Sequence, residues 1–116
     1  MTNFLEETIE SIKDSNHKET DVMFVGSFDG KYRMTWEKFK KEANFHYYSG
    51  FGAQEIARDL IVCFFDGSYL DRHEYDGSEW WTYHGLMTFK EDDEYKDFNI
   101  LGGENYMWCS VEEMNK

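Results

Sequence analysis

Four side chains between positions 73 and 84 are of the types that bind divalent transition metals: His73, Glu74, Asp76 and His84. Neutral imidazole and carboxylate groups together suit such an ion, and two histidines on paired strands could approach one another. Adjacent residues of a strand point to opposite faces, however, and the spacing matches no known catalytic site. We therefore expect no metal site and no other cofactor.

Other catalytic chemistry has weaker support. Paired carboxylates can be named in any chain with 24 Asp and Glu residues, so they have little diagnostic value, although Trp and Tyr side chains could line a sugar site. Cys63 lies inside an apolar run and is expected to be an unreactive core residue, and nothing supports pairing Cys109 with a histidine. We do not expect an enzyme, and a small hydrolytic or metal-dependent enzyme is kept as an alternative.

Charge is the dominant feature of the composition, because 24 acidic residues oppose 12 Lys and Arg residues and give a formal net charge of −12. Such an excess repels nucleic-acid phosphates and anionic membranes, and it favours contact with basic protein surfaces. A hydrophobic content of 41% and an aromatic content of 19% supply the apolar area that a disordered chain lacks. Residues 1–116 are therefore predicted to form a single acidic domain.

The first residues of the chain, its apolar runs and its cysteines indicate the compartment in which the domain is expected. The first twenty residues carry acids and lack the apolar core of a signal peptide, and no run approaches the length of a membrane span. Two cysteines in a chain of this length do not indicate a disulfide scaffold. A cytoplasmic location is expected.

The stretch from 49 to 84 is expected to organise the fold. Residues 60–65 form a continuous apolar run that predicts a strand buried on both faces. The Asp66-Gly67 and Asp76-Gly77 steps that follow are strong hairpin-turn signals, since glycine reaches positive φ without a Cβ clash. A three-stranded antiparallel meander over 60–65, 69–75 and 79–84 is therefore predicted.

The rest of the chain predicts elements around this meander. A hairpin is expected over 22–25 and 31–34, a strand over 86–89, and a last strand near Phe98 and Ile100. Helices are expected at 3–13, 36–44 and 53–58, with Thr2 or Asn3, Thr35 and Ser110 as N-caps for the first, the second and a short terminal helix. The aromatic side chains of 44–52 are expected to pack beneath the sheet; they are Phe45, Tyr47, Tyr48 and Phe51. The predicted fold class is α+β: an antiparallel sheet of five or six strands with two or three short helices packed mainly on one face.

Residues 31–41, called the basic window, carry five Lys and Arg residues against one Glu and have a net charge of +4. The favoured interpretation is a solvated helix face that balances acids elsewhere in the fold. Contact with phosphate, or with the acidic region of a second copy, is the alternative.

The clearest charge cluster lies further along the chain. Nine acids and three basic residues between Asp71 and Asp97 give a net charge of −6, and residues 91–97, called the acidic segment, supply most of it. Trp80 and Trp81 must point to opposite faces of their strand. Because Trp and Tyr are enriched among interface anchors, these acids and aromatics are the predicted partner-binding residues. They are Asp71, Glu74, Asp76, Glu79, Trp80, Trp81, Glu91, Asp92, Asp93, Glu94, Tyr95 and Asp97.

Two runs carry a resemblance to known proteins. DLIVCFFDGSYLDRHEYDGSEWWTYH, with GKYRMTWEKFKKEANFHYYSGFGAQEIA before it, resembles small uncharacterised proteins of bacteriophages and mobile elements that share a YDGSEWW-type core. The similar region covers roughly residues 21–89, and it supplies no catalytic residues. The resemblance implies a phage setting, in which short acidic proteins are often inhibitors of host defence such as anti-CRISPR proteins.

Charge and resemblance together predict a phage-encoded inhibitor that works in the host cytoplasm. Its expected partner is a nucleic-acid-binding host protein with a basic groove, such as a CRISPR effector, and the carboxylates are expected to occupy that groove in place of phosphates. Direct contact with nucleic acid or membrane is not expected, and the inhibitor is expected to be a monomer or a homodimer. A structural phage component that forms large assemblies is the remaining alternative.

Overall fold

The computed structural model describes residues 1–50 and 52–116, and it combines a sheet with three helices. In chain order the helices are α1 (Phe4–Asp14), α2 (Trp36–Glu42) and α3 (Val111–Met114), and two short 3-10 turns cover Glu19–Asp21 and Glu104–Tyr106. The strands are β1 (Thr2–Asn3), β2 (Val22–Ser27), β3 (Arg33–Met34), β4 (His46–Tyr47), β5 (Leu60–Phe64), β6 (Tyr69–Tyr75) and β7 (Ser78–His84). The predicted α+β class is therefore correct.

Five of these strands form one antiparallel sheet in the order β3-β2-β5-β6-β7, while β1 and β4 pair separately. β5 is the central strand, and all five of its residues are buried, as its uninterrupted apolar sequence predicts. The meander β5-β6-β7 and the hairpin β2-β3 are both confirmed. The β6-β7 turn needs only two residues, because Asp76 (φ 54°) and Gly77 (φ 85°) both adopt the left-handed conformation that matches the strand twist.

The helices begin where the capping residues predict. Asn3 Oδ1 accepts from the N–H of Glu6 at 2.9 Å, and Thr35 Oγ1 accepts from the N–H of Lys38 at 3.1 Å. Ser110 and Glu113 form a reciprocal capping box at the start of α3. These bonds satisfy N–H groups that have no partner inside their helices, so each helix starts at a defined residue.

The two faces of the sheet are covered differently. All three helices contribute to the larger apolar cluster, which lies on one face, as predicted; from the sheet it includes Val25, Val62, Leu70 and Trp81. On the other face, Phe24, Ile61 and Cys63 form a smaller cluster that is covered by Met87 and Phe89 of the chain after β7. The second face is thus covered over β2 and β5.

Three predicted elements are absent from the described residues. Residues 53–58 are not helical, because the N–H groups of Ala57 and Arg58 donate to the carbonyls of Leu101 and Cys109 instead of to a preceding turn. Residues 86–89 are not a strand: Leu86 has φ 66°, and the chain there crosses the sheet as its cover. The segment around Phe98 and Ile100 also lacks strand structure and packs against the core. In each case tertiary contacts outweigh local propensity.

The aromatics of 44–52 have different environments. Tyr47 is fully buried in the core and Phe45 packs against that core, as predicted, whereas Tyr48 is largely exposed. Phe51 lies outside the described residues. Within the described ranges, no helix has the length and apolar character needed to cross a bilayer.

Candidate functional site

Two of the predicted partner-binding residues lie in the interior. Glu79 and Trp81 are buried because the two-residue period of β7 turns both side chains towards the helices. Their assignment to a partner-binding surface is therefore wrong. The alternation itself is confirmed, since Trp80 points away from the helices and is 39% exposed.

Glu79 belongs to a buried charge network with Arg72, called the arginine network. Both side chains are fully buried, and Arg72 Nη2 donates to Glu79 Oε1 at 3.0 Å and to the Tyr47 hydroxyl at 3.0 Å. Glu79 also accepts from the N–H groups of Glu55 and Ile56 at 2.8 and 3.3 Å. Burial raises the pKa of Glu79, while Arg72 and these N–H groups act in the opposite direction. The network ties the β6-β7 hairpin to the non-helical segment 53–58.

A second carboxylate joins the arginine network from α1. Tyr47 donates to Glu7 Oε1 at 2.5 Å, and the same oxygen lies 3.5 Å from Arg72 Nη1. The guanidinium carbon lies 4.8 Å from the ring centroid of Trp81, whose indole N–H donates to the Thr8 hydroxyl at 2.9 Å. The hairpin is therefore held to α1 by polar as well as apolar contacts.

The outward side of the same hairpin forms a surface that we call the open face. Pairing of β6 with β7 places alternate residues of both strands on the side that faces away from the helices. These residues are Asp71, His73, Tyr75, Ser78, Trp80, Thr82 and His84. None of the seven is fully buried, whereas the same face is covered by Met87 and Phe89 over β2 and β5.

Cross-strand contacts order the open face. His73 lies against Trp80 with ring centroids 5.2 Å apart, and His84 Nε2 lies 2.9 Å from Asp71 Oδ1. Tyr75, at the end next to the turn, is 76% exposed. The surface therefore combines aromatic rings with one carboxylate, Asp71, and its rings are accessible to a partner.

The charged side chains that remain outside the buried pair of the β6-β7 hairpin are all negative. Arg72 is the only Lys or Arg between positions 69 and 84, and its side chain is buried in the arginine network. Glu79 is buried with it, so Asp71, Glu74 and Asp76 are the carboxylates that remain outside this pair. The open face thus presents aromatic rings and the Asp71 carboxylate, Asp76 lies in the turn at its end, and the face has no exposed Lys or Arg of its own.

The acidic segment lies at the other edge of the sheet, against the basic window. The Lys96 N–H donates to the Lys31 carbonyl at 2.6 Å, and the Arg33 N–H donates to the Lys96 carbonyl at 2.7 Å. Two ion pairs accompany this backbone pairing: Arg33 with Asp93 at 3.1 Å, and Lys38 with Asp97 at 2.6 Å. The five acids and one Lys of the acidic segment sum to −4, which offsets the +4 of the basic window.

Arg33 is the centre of this contact and is itself buried. Its guanidinium carbon lies 4.3 Å from the ring centroid of Phe24 and 5.3 Å from that of Tyr95, and its nitrogens donate to the carbonyls of Gly30 and Lys90. A hydrogen bond from the Lys90 N–H and the Arg33 guanidinium lower the pKa of Asp93. The basic window therefore pairs with the acidic segment of its own chain, which leaves Glu91, Asp92, Glu94 and Tyr95 exposed.

The metal-like residues are not brought together. His73 pairs in register with Trp80, and His84 is four residues further along β7, which is about 13 Å at roughly 3.3 Å per residue. Glu74 accepts from the N–H of Gly77 at 2.7 Å and so closes the turn. Residues 1–50 and 52–116 contain no group of three His, Cys, Asp or Glu side chains that could hold a metal ion.

One Ser, His and Asp set is close in space but lacks the geometry of a nucleophilic triad. His17 Nε2 lies 2.8 Å from Asp66 Oδ2 and 3.2 Å from Ser68 Oγ, so both partners share one ring nitrogen. In a catalytic triad the acid and the nucleophile take opposite nitrogens of the imidazole. Here the set fastens the end of α1 to the β5-β6 turn.

Cys63 has the core position that the sequence predicts. It is fully buried in β5, and burial raises the pKa of its thiol to about 11. A thiol is nucleophilic as the thiolate, so this environment disfavours reactivity.

Comparison with known proteins gives no relative: no family model, curated protein or solved structure matches this chain.

Sequence reasoning missed two features that the fold makes prominent. Arg72 lies two residues after Leu70 on β6, so the sequence predicts that the two side chains share a face. It does not indicate that a guanidinium is buried there. Trp108 adopts φ 66°, and no sequence signal such as Gly or Asn marks that position.

Proposed function

We propose that the protein is an inhibitor that docks its open face on the basic, nucleic-acid-binding groove of another protein and thereby excludes DNA or RNA. The observation that carries this proposal is the outward side of the β6-β7 hairpin, where Tyr75 and Trp80 are accessible, Asp71 and the turn residue Asp76 supply carboxylates, and the only Arg of the hairpin is buried. Aromatic faces attract guanidinium and ammonium groups, and carboxylates pair with them. A groove rich in Lys and Arg is the surface that this combination fits.

The partner class follows from charge and from the resemblance to phage proteins. A net charge of −12 would accelerate encounter with a basic groove, while the aromatic anchors would slow dissociation. A host defence protein that processes nucleic acid, for which CRISPR effectors are the example, has such a groove. The inhibitor would then act in the host cytoplasm.

Two groups of residues would serve this function differently. Tyr75 and Trp80 are the proposed anchors, together with Asp71 and Asp76. The exposed acids of the acidic segment, Glu91, Asp92 and Glu94, would steer the approach, since charges at a rim act chiefly on association.

The test begins with a pull-down from nuclease-treated host lysate, followed by mass spectrometry, to identify the partner. The purified partner is then bound to labelled DNA or RNA, and displacement by the protein is measured by fluorescence anisotropy. We expect the wild type to displace the nucleic acid and Trp80→Ala to bind about 30-fold more weakly, as for a hot-spot residue. Neutralising Glu91, Asp92 and Glu94 together, while keeping Asp93 because it pairs with the buried Arg33, should slow association and flatten its salt dependence.

A matched pair of variants separates the charge of the β6-β7 hairpin from the total charge of the protein. D71N/D76N and E6Q/E10Q each remove two negative charges, but Glu6 and Glu10 are exposed on α1. The first variant should weaken binding more than the second. A partner that does not bind nucleic acid, or equal losses from the two variants, would contradict the proposal.

A further inference from the structure

β7 is an edge strand, and part of its outer backbone has no partner. Along an antiparallel strand, residues that bond one neighbour alternate with residues whose backbone groups point the other way. The Glu79 N–H donates to the Ser49 carbonyl at 3.0 Å, so Glu79 directs its backbone groups away from β6. Trp81 and Tyr83 follow at the same two-residue period and direct theirs to the same side. Among the described residues, none bonds the outward N–H and C=O groups of these two.

The unpaired part of the edge, called the free edge, covers residues 80–84 and has defined ends. At one end the Ser49 carbonyl occupies the edge at Glu79. At the other end β7 stops at His84, and the chain then crosses the sheet through Leu86, which has φ 66°. The free edge is therefore a short stretch of regular strand, bounded on both sides.

The free edge lacks features that prevent the edges of native sheets from pairing. Exposed Lys residues, Pro residues and bulges are common devices of this kind. β7 contains no Lys, Arg or Pro, and its register with β6 is regular from end to end. The carboxylate of Glu79 is buried in the arginine network, so it does not lie at the edge. Trp, Tyr and Thr, which favour strands, make up most of the free edge.

The order of residues along the free edge fits a second copy of the same strand. Thr82 is its midpoint, so a two-fold axis beside Thr82 aligns the free edge with itself in the antiparallel direction. Trp81 then faces Tyr83 of the second copy, Trp80 faces His84, and the two Thr82 side chains meet. Aromatic pairs and Thr pairs are favourable across antiparallel strands, and no Asp or Glu side chain faces another in this register.

We propose that the protein forms a homodimer in which the free edges of two copies pair as antiparallel strands and join the two five-stranded sheets into one. Each pairing of Trp81 with Tyr83 exchanges both N–H to C=O hydrogen bonds, which gives the outward backbone groups their partners. The dimer is closed, because the opposite edge of the sheet is covered: the Arg33 N–H of β3 donates to the Lys96 carbonyl at 2.7 Å. The pairing does not depend on the proposed function, since it requires no basic groove.

Net charge determines how the dimer responds to salt. Each copy has a formal net charge of −12, so two copies repel one another, and salt screens this repulsion. Raising NaCl from about 0.05 to about 0.5 M should therefore strengthen dimerisation at least about threefold. Binding to a basic groove has the opposite salt dependence. Because the free edge is a small contact surface, the dissociation constant is expected in the micromolar range or weaker.

Sedimentation velocity over a series of protein concentrations measures this dissociation constant. Thr82→Lys should weaken dimerisation at least about 10-fold, because it places two Lys side chains opposite each other at the two-fold axis. The substitution lowers the net negative charge of each copy, so an effect of total charge would have the opposite sign. Thr82→Glu should also weaken dimerisation. An equimolar mixture of the two variants should form a heterodimer, since Lys and Glu then face each other.

Thr20→Lys is the matched control, because Thr20 is exposed outside β7 and the substitution is identical. It should dimerise at least as strongly as the wild type. Hydrogen exchange provides a readout of the backbone: the amides of Trp81 and Tyr83 should gain protection as the dimer forms, whereas that of Glu79 is already bonded in the monomer.

A wild type that stays monomeric at the highest concentration and salt would overturn the inference, as would assembly beyond a dimer. Thr82 variants that dimerise like the wild type, or a mixture of them that does not associate, would also overturn it. A monomer that still displaces nucleic acid from its partner would refute the dimer and leave the proposed function standing.

Discussion

Replacing Arg72 by Met tests whether the arginine network holds the open face in place. The substitution keeps a long side chain between Phe4 and Trp81, whose ring centroids lie 5.3 and 4.8 Å from the guanidinium carbon, but it removes the charge. Glu79 is then left fully buried without a cation, beside Glu7, which is 17% exposed. The Glu79 carboxylate would keep the hydrogen bonds from the backbone N–H groups of Glu55 and Ile56. No positive charge would remain to stabilise it.

The expected loss follows from this uncompensated charge. Removing one member of a buried ion pair typically costs about 3–5 kcal/mol, whereas exposed pairs contribute about 0–1 kcal/mol. Arg72 is not ideally bonded, because among the described residues its Nε and Nη1 atoms have no hydrogen-bond partner. We therefore expect a loss near the lower end, about 3 kcal/mol at pH 8.

A pH series provides a second readout. Burial already raises the pKa of Glu79, and removing Arg72 should raise it further. A raised carboxyl pKa means that the folded state binds more protons than the unfolded state, so the stability of the variant falls as pH rises above the ordinary value of 4.5. The loss relative to wild type should accordingly be smaller at pH 5 than at pH 8.

Urea unfolding monitored by tryptophan fluorescence measures these free energies. Lys41→Met is the matched control, because it removes one positive charge from an exposed site on α2 and should have little effect. Arg72→Met combined with Glu79→Gln should recover part of the loss. A cost below about 1 kcal/mol for Arg72→Met at pH 8 would refute the role assigned to the network.

Three further changes test the packing around the site. Cys63→Ser should destabilise the protein by about 1–3 kcal/mol in urea unfolding, because it buries an added hydroxyl in the central strand, and an effect near zero would contradict that position. Thr8→Val should cost about 1–3 kcal/mol in thermal unfolding by leaving the Trp81 indole N–H unpaired, whereas Thr8→Ser should retain most of the stability. Hydrogen bonds from Ser68 and His17 lower the pKa of Asp66 to about 2. Its contribution to the stability of the fold is therefore present above pH 3.8 and is lost as the pH falls towards 2. Asp66→Asn should flatten the dependence of stability on pH across that range, and an unchanged loss of stability at acid pH would contradict this.

The fold was predictable where local signals and long-range packing agree. The apolar run of β5, the Asp-Gly steps and the capping residues each favour one structure, and the structure contains each of them. The helix predicted over 53–58 does not form, because its helical pattern competes with hydrogen bonds that exist only in the folded chain. One of them is donated by the Glu55 N–H to the Glu79 carboxylate at 2.8 Å. A partner 24 residues away cannot be inferred from the composition of a six-residue segment.

The candidate site was predictable in its residue types and not in its arrangement. The two-residue period correctly separates Trp80 from Trp81, but it does not indicate which of the two faces the helices. A count of charges along the sequence identifies the basic window and the acidic segment, but it treats them as two separate features. Their pairing depends on the chain crossing the sheet after β7, a path that leaves no pattern in the sequence.

Pairing of acids with cations or imidazoles inside the fold reduces the negative charge that residues Asp71 to Asp97, with a formal net charge of −6, present to a partner. Four of its nine acids face a cation or an imidazole in the fold: Asp71 with His84, Glu79 with Arg72, Asp93 with Arg33, and Asp97 with Lys38. The other five form two groups, Glu74 and Asp76 at one end of the hairpin and Glu91, Asp92 and Glu94 beside β3.

β3 and β7 are the opposite edges of the sheet and lie four strand spacings apart, about 19 Å at roughly 4.8 Å each. This separation exceeds a Debye length at physiological salt, so the two groups act on a partner as independent charges. A groove that engages the open face through Trp80 therefore meets the nearer group directly, and it meets the farther group only if the basic surface continues across the sheet.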